Sequence, residues 1–313
     1  MTIHWQDNPA RLDHVMLESD DPSNLANFYC DALCMTQTIQ GSLIMVESAG
    51  RKLLIGSGSS RKLGFGAYGF DSDTGLTQLR RSLESAGITL DESPSPLFSD
   101  HAFSLTDPDN NRLVFGRSTA ISNNSAMPAR LQHLVVATDE MAPMLDFYTG
   151  QLGFAITDRV EDETGDLRAC FLNSDGEHHS FAFFKANEKR LDHHAYEAGE
   201  WNLIRDWADH LADLDVKIVW GPGRHGPGNN LFFMINDPDG NWVEISAELD
   251  VKIVWGPGRH GPGNNLFFMI NDPDGNWVEI SAELEQLTLE RQVRIWPHGE
   301  KALNLWGPGY LRS

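Results

Sequence analysis

Four segments of this chain open alike, and that repetition limits its fold more than any other feature. They are Arg11-Leu12-Asp13-His14, Lys62-Leu63-Gly64-Phe65, Arg130-Leu131-Gln132-His133 and Arg190-Leu191-Asp192-His193. The spacing is roughly modular, and such a repeat marks a supersecondary unit that buries its apolar face only beside its neighbours. Each opening leads into a short strand-like run and then into an amphipathic stretch of helical period: SNLANFYCDAL, TGLTQLRRSLESAG, MAPMLDFYTGQLG and EWNLIRDWADHLADL. Alternating apolar runs broken by Gly, Asn and Asp follow, which read as strands joined by turns. The second and fourth units close on matching turn sequences, Asp107-Pro108-Asp109-Asn110-Asn111 and Asp237-Pro238-Asp239-Gly240-Asn241.

Two paired βαβββ units make one domain, so the expected class is α+β: two domains, each a curved, barrel-like mixed sheet. The Ser/Asn-rich stretch from Ser118 to Pro128 has the composition of an exposed linker. The expected domains are therefore 1–120 and 128–313.

A second repeat is of another kind. DVKIVWGPGRHGPGNNLFFMINDPDGNWVEISAEL stands at Asp215–Leu249 and again, letter for letter, at Asp250–Leu284, ahead of a tail over 285–313. Old repeats drift, as the four units have, so this identity marks a recent event. Only one copy can fill the last unit.

Composition removes several function classes. A formal charge of −21 with no compensating run of Lys or Arg argues against nucleic acid or an anionic membrane surface as partner. Cys30, Cys34 and Cys170 are odd in number and lack CxxC spacing, which suits a reducing cytoplasm and excludes a disulfide framework. No basic-then-apolar leader and no run of 18 apolar residues is present, so neither secretion by that route nor a membrane span is expected. A homo-oligomer is expected on general grounds.

His133 and His193 hold the same place in the first strands of the third and fourth units, and pairing of those strands would turn both imidazoles toward one cavity. Glu244 lies in the strand after the DPDGN turn. A lone strand histidine is ordinarily a hydrogen-bonded core residue, but the repeats argue for more. The matching positions of the first domain are His14, Phe65 and Val114, so one half carries all three ligand types and the other a single histidine. An unpaired carboxylate in a half-buried strand costs several kcal/mol. Two histidines and one carboxylate with open positions form the facial triad of non-haem iron(II) oxygenases. The first domain, without that set, is expected to be metal-free.

With LQHLVVAT, RLDHHAYEA and GPGRHGPGNNLFFMINDPDGNWVEI in place, the second domain resembles the type I extradiol dioxygenases of the vicinal oxygen chelate superfamily. Trp296-Pro297 and LNLWG at Leu303–Gly307 resemble the tail of those enzymes. The resemblance implies Fe(II), with manganese as an alternative, held by His133, His193 and Glu244. It also implies a catechol-type substrate cleaved with dioxygen. It assigns His179 to the dioxygen side as acid or base and His225 to the substrate hydroxyl. On an alternating strand His179 would share a face with Phe181 and Phe183 and His178 would point away. The duplicate leaves open whether Glu244 and His225 or Glu279 and His260 fill the site. Relatives often carry a tyrosine ten residues before the glutamate, where this chain has Met234, a residue without a hydrogen to donate. Trp220, where an arginine can precede the GRHG motif, favours an apolar ring substituent, and Phe181, Phe183, Phe232 and Phe233 suit a substituted or bicyclic catechol. Two other readings remain: a metal-free protein that sequesters an aromatic ligand, and a glyoxalase-type isomerase, which needs a fourth protein ligand and a glutathione surface.

Overall fold

The computed structural model describes residues 9–99, 101–118, 127–248, 255–262, 264–271, 277–283, 295 and 304–306. Most of the expected linker (119–126), the junction of the two copies (249–254) and Trp296-Pro297 of the tail lie outside the described residues.

The four-unit order is present element by element. The first unit is β1 (Ala10–Ser19), α1 (Pro22–Ala32), β2 (Thr36–Gln40), β3 (Leu43–Ser48) and β4 (Arg51–Ser57). The second is β5 (Lys62–Phe70), α2 (Asp73–Ser85), β6 (Asp91–Glu92), β7 (Phe103–Thr106) and β8 (Arg112–Arg117). The third is β9 (Arg130–Thr138), α3 (Met141–Asp146) continued by a π-helical turn over Phe147–Gln151, β10 (Ala155–Glu161), β11 (Leu167–Asn173) and β12 (Phe181–Lys185). The fourth is β13 (Arg190–Glu197), α4 (Trp201–Asp213), β14 (Ile218–Arg224), β15 (Asn230–Asn236) and β16 (Trp242–Glu248). The second copy forms β17 (Trp255–Arg259), β18 (Leu266–Asn271) and β19 (Trp277–Ala282).

Local chemistry sets these boundaries. The Asp21 side chain caps α1 by accepting from the Asn24 amide, with Pro22 in the first turn, and Ser72 caps α2 through Gly75. Helix α2 buries Leu76, Leu79 and Leu83, and α4 buries Ile204, Trp207, Ala208 and Leu211, each on a single apolar stripe.

The strands form two mixed sheets of eight, ordered β2-β3-β4-β1-β5-β8-β7-β6 and β10-β11-β12-β9-β13-β16-β15-β14, and a three-stranded sheet β17-β18-β19. In each large sheet the two first strands of the paired units lie antiparallel at the centre, β1 on β5 and β9 on β13. Each of β1, β5 and β9 also pairs in parallel with the last strand of its own unit. Both orders run linearly from one edge strand to another. Each sheet is therefore an open ladder and not a closed barrel, with β2 and β6 at the edges of the first and β10 and β14 at the edges of the second. Each large sheet falls on one side of residues 118–128, which we propose as the domain boundary. By its internal contacts the chain groups into two compact units, Met1–Glu197 with Asp237–Val243 and Ala198–Asn236 with Glu244–Ser313.

The two DPDxN turns are built alike. Asp107 Oδ1 accepts from the amides of Asp109 and Asn111 at 2.9 and 2.8 Å, and Asp237 Oδ1 from those of Asp239 and Asn241 at 3.1 and 2.9 Å. Asn110 and Gly240 take the left-handed conformation, at φ 65° and 81°. Each turn receives a buried tyrosine from across residues 118–128. The Tyr29 hydroxyl of α1 donates to Asp237 Oδ2 at 2.8 Å, and the Tyr148 hydroxyl of the π-helical turn donates to Asp107 Oδ2 at 3.1 Å.

Candidate metal centre

The first strand of each unit carries a bulge at one residue. Pairing of β1 with β5 skips Asp13, between Leu12 and His14, and also Gly64, between Leu63 and Phe65. Pairing of β13 with β9 skips Asp192, between Leu191 and His193, and Gln132, between Leu131 and His133. A bulge inserts an extra residue and re-aims the side chains beside it. In the second sheet His133 and His193 thereby meet across the ladder, with their Nε2 atoms 3.2 Å apart. His133 is 2% exposed and His193 9%.

Strand β16 is the hydrogen-bonded neighbour of β13 and carries Glu244, which is fully buried. One ligand-capable atom from each of His133, His193 and Glu244 lies within 4.8 Å of the others. Glu244 also meets His225 Nε2 at 3.2 Å and Asn230 Nδ2 at 3.5 Å. Two imidazole Nε2 atoms and a buried carboxylate converging at that distance fit a divalent cation, since a buried carboxylate calls for a cationic counterpart.

His179 is 6% exposed, and its ring centroid is 4.2 Å from that of His133. It reaches this place by a route that alternation did not foresee. His178 and His179 lie in the bend before β12, not in a strand. Phe181 pairs with Leu134 and stacks on Tyr148 at 4.1 Å, on the face of the sheet opposite His133. His179 therefore does not share the face of Phe181 and Phe183. His178, the outer residue, bonds Asp158 Oδ2 at 3.0 Å, and its Nδ1 meets His179 Nδ1 at 2.9 Å.

His225, in the loop after β14, stacks on Phe232 with centroids 3.7 Å apart and planes 9° from parallel. Met234 is buried in β15, whereas Trp220 is 49% exposed. Phe181, Phe183, Phe232 and Phe233 are all buried. His194, next to His193, is fully buried on the far face, where its Nε2 lies 3.0 Å from the Tyr29 hydroxyl; burial, with the His193 charge as a lesser cause, pushes it down to about 3. It is therefore a neutral imidazole at physiological pH.

The second copy reproduces the outer half of this arrangement. His260 Nε2 lies 3.8 Å from Glu279 Oε2, Asn265 Nδ2 lies 3.4 Å from Glu279 Oε1, and His260 stacks on Phe267 at 3.8 Å. The Glu279 side chain is 38% exposed, unlike that of Glu244. Arg259 of this copy is held by Asp209 of α4 at 2.9 and 2.8 Å, and the tail residue Trp306 donates to the same aspartate at 2.7 Å.

In the first half of the sequence the corresponding space is filled. His14 Nε2 meets Ser95 Oγ at 2.7 Å, its ring packs edge-on to Phe65 and Phe98, and Met45, Leu54 and Val114 complete an apolar cluster. Sequence reasoning missed Asn230, Gln132 and Asp192 as neighbours of the candidate ligands. The four aligned openings held a signal for the last two, since Asp, Gln and Asp precede the histidines and Gly precedes Phe65.

Several known proteins are similar to this chain. Metapyrocatechase 2 of Cupriavidus necator is 27% identical over 258 residues, 74% of this chain and 78% of that protein. The 3-methylcatechol 2,3-dioxygenase of Pseudomonas putida is 28% identical over 215 residues, 62% of this chain and 74% of its own length. The crystal structure of homoprotocatechuate 2,3-dioxygenase from Arthrobacter globiformis superposes with a TM-score of 0.66 at 22% identity, covering 79% of this chain and 83% of that one, a likeness of fold. Residues 11–115 and 130–245, the two paired-unit segments, match the sequence profile of one family. By that match over most of its length, the chain belongs to the Glyoxalase/Bleomycin resistance protein/Dioxygenase superfamily.

Proposed function

We propose that this protein is an extradiol ring-cleavage dioxygenase, opening a catechol-type ring beside its hydroxyls with both atoms of dioxygen. The carrying observation is the convergence of His133, His193 and Glu244 within 4.8 Å. Iron(II), or manganese(II) in its place, would be held by those three residues. When bound, the metal supplies a Lewis-acid charge that eases loss of a catechol proton and leaves positions for substrate and dioxygen.

The remaining steps belong to side chains of this chain. His225, 3.2 Å from Glu244, is set to accept the proton of a substrate hydroxyl. His179, packed on the His133 ring, is placed to give and take a proton as the ring opens. Burial of this pair of histidines differs: His179 is 6% exposed while the His225 side chain is 27% exposed, which suits a sheltered oxygen side and an open substrate side. With Met234 in β15 no hydroxyl is offered from that position, so substrate orientation falls to His225 and to packing against Trp220 and Phe232.

Cys30, Cys34 and Cys170, none of them in a disulfide, suit a cytoplasmic enzyme, and no described helix is long and apolar enough to cross a membrane. Assembly as a homo-oligomer is part of the proposal. The test is purification under anaerobic conditions, metal analysis, and a panel of substituted catechols followed by absorbance of the ring-opened product. About one metal per chain and a yellow product are expected. A folded protein that binds catechol without metal and without oxygen consumption would refute the proposal.

A further inference from the structure

The bulges do more than turn the histidines inward. In a regular strand consecutive side chains point to opposite faces, so a residue cannot reach the imidazole that follows it. Here the skipped residue does reach it in all three histidine-bearing units. Asp192 Oδ2 accepts from His193 Nδ1 at 2.8 Å, Asp13 Oδ1 from His14 Nδ1 at 2.7 Å, and Gln132 Oε1 from His133 Nδ1. In the one unit whose histidine position is Phe65, the skipped residue is Gly64, with no side chain to offer.

The Gln132 amide has a fixed sense, because its Nε2 donates to the His179 carbonyl at 2.8 Å and so leaves Oε1 for His133. Asp192 is steadied from behind by Arg190 at 3.3 Å. An acceptor on Nδ1 puts the proton there and leaves the Nε2 lone pair free for a metal. At His14 the same device operates, but Ser95 occupies the Nε2 side.

We infer that Gln132 and Asp192 are positioning residues of the metal centre: each, bulged out of its strand, fixes the tautomer and ring angle of the ligand histidine that follows it. This rests on the metal-centre reading above. The two are not equal. Asp192 sets a charged acceptor on His193 Nδ1, whereas Gln132 sets a neutral amide that ties His133 to the backbone of His179.

The experiment is titration of metal-free protein with Mn(II), followed by its electron paramagnetic resonance signal, alongside thermal unfolding of each metal-free variant. Asp192→Ala and Gln132→Ala should each weaken Mn(II) binding about 10- to 100-fold. Asp192→Asn, which keeps an acceptor oxygen without the charge, should lose less. Gln132→Glu, which adds a charge at the same acceptor, should bind more tightly than wild type. Asp13→Asn, the same change at the histidine capped by Ser95, should leave Mn(II) affinity unchanged. Wild-type affinity in Asp192→Ala overturns the inference, as does an equal loss in Asp13→Asn. If Asp192→Ala does not fold, opposite shifts in Asp192→Asn and Gln132→Glu still support the assignment, and absence of both shifts overturns it. A wild-type protein that takes up neither Mn(II) nor Fe(II) sinks the metal-centre reading itself, and this inference with it.

Discussion

Replacing Tyr29 by Phe removes one oxygen from the interior and should be among the costlier single-atom changes in this protein. The Tyr29 ring is fully buried, and its hydroxyl stands between two partners: it donates to Asp237 Oδ2 at 2.8 Å and accepts from His194 Nε2 at 3.0 Å. A hydrogen bond to a carboxylate is worth about 1.5–3 kcal/mol, and a buried donor left without its partner costs about 1–3 kcal/mol. Asp237 keeps Asn241 Nδ2 at 2.8 Å, which offsets part of the first loss. A net loss of about 3–4 kcal/mol follows. The equivalent change at Tyr148 is a matched control, since its hydroxyl donates to Asp107 at 3.1 Å and Asp107 also keeps an asparagine, Asn111, at 2.9 Å. With no buried imidazole stranded there, about 1–2 kcal/mol is expected. Urea unfolding of the metal-free proteins at pH 7, followed by circular dichroism, reads both as midpoint shifts at unchanged slope. Equal midpoints for Tyr29→Phe and wild type, or a larger shift for Tyr148→Phe, would refute the reasoning.

His133→Ala, His193→Ala and Glu244→Ala should each abolish metal retention on gel filtration, whereas Glu279→Ala, at an exposed carboxylate of the second copy, should keep it. Metal retention in Glu244→Ala with loss in Glu279→Ala would assign the third ligand to the second copy. His179→Ala should retain metal and lower turnover on the order of 10²-fold, with His178→Ala close to wild type in a stopped-flow assay. Deletion of Asp250–Leu284 should leave a metal-binding, active and more soluble protein, because the strand beside β13 and its carboxylate Glu244 belong to the first copy while the second forms a separate sheet; sedimentation and metal analysis check this. Burial pushes the Asp175 carboxyl up to about 6, so its charge is disfavoured in the folded protein. A raised folded pKa means the folded state holds the proton between about pH 4 and 6 while the unfolded state releases it, so stability falls as pH rises through that window. Asp175→Asn should then stabilise the protein by about 1–3 kcal/mol at pH 7–8 and by little below pH 4, read from urea midpoints across pH. A constant difference from pH 4 to 8 would refute it.

Much of this protein was legible from one dimension. The four openings, the amphipathic stretches and the DPDxN turns are local patterns, set by side-chain period and turn chemistry, and they gave the order of elements to within a few residues. The aligned openings also marked His133 and His193 as equivalent and set them apart from Phe65. What they did not give depends on which strand lies beside which. Alternation put His178 and His179 on a strand and His179 with Phe181, but the chain bends at Ser174–Ser180, and a period of two ends where the ladder ends.

The repeated unit, the candidate ligand types and the strands that carry them follow from the nature and spacing of neighbouring residues, and so are readable in one dimension. Only the tertiary structure decided that Asp13, Gln132 and Asp192 are the skipped residues, since a bulge exists only relative to a partner strand. It alone decided that the sheets stay open and that Tyr29 and Tyr148 answer Asp237 and Asp107 across more than a hundred residues and some forty, respectively. It also tells two identical sequences apart: Glu244 is buried beside the histidines and Glu279 is exposed. No local rule can separate identical segments, because the difference lies in the surroundings each one meets. One copy has β13 beside its last strand, and among the described residues the strands of the other pair as a separate three-stranded sheet.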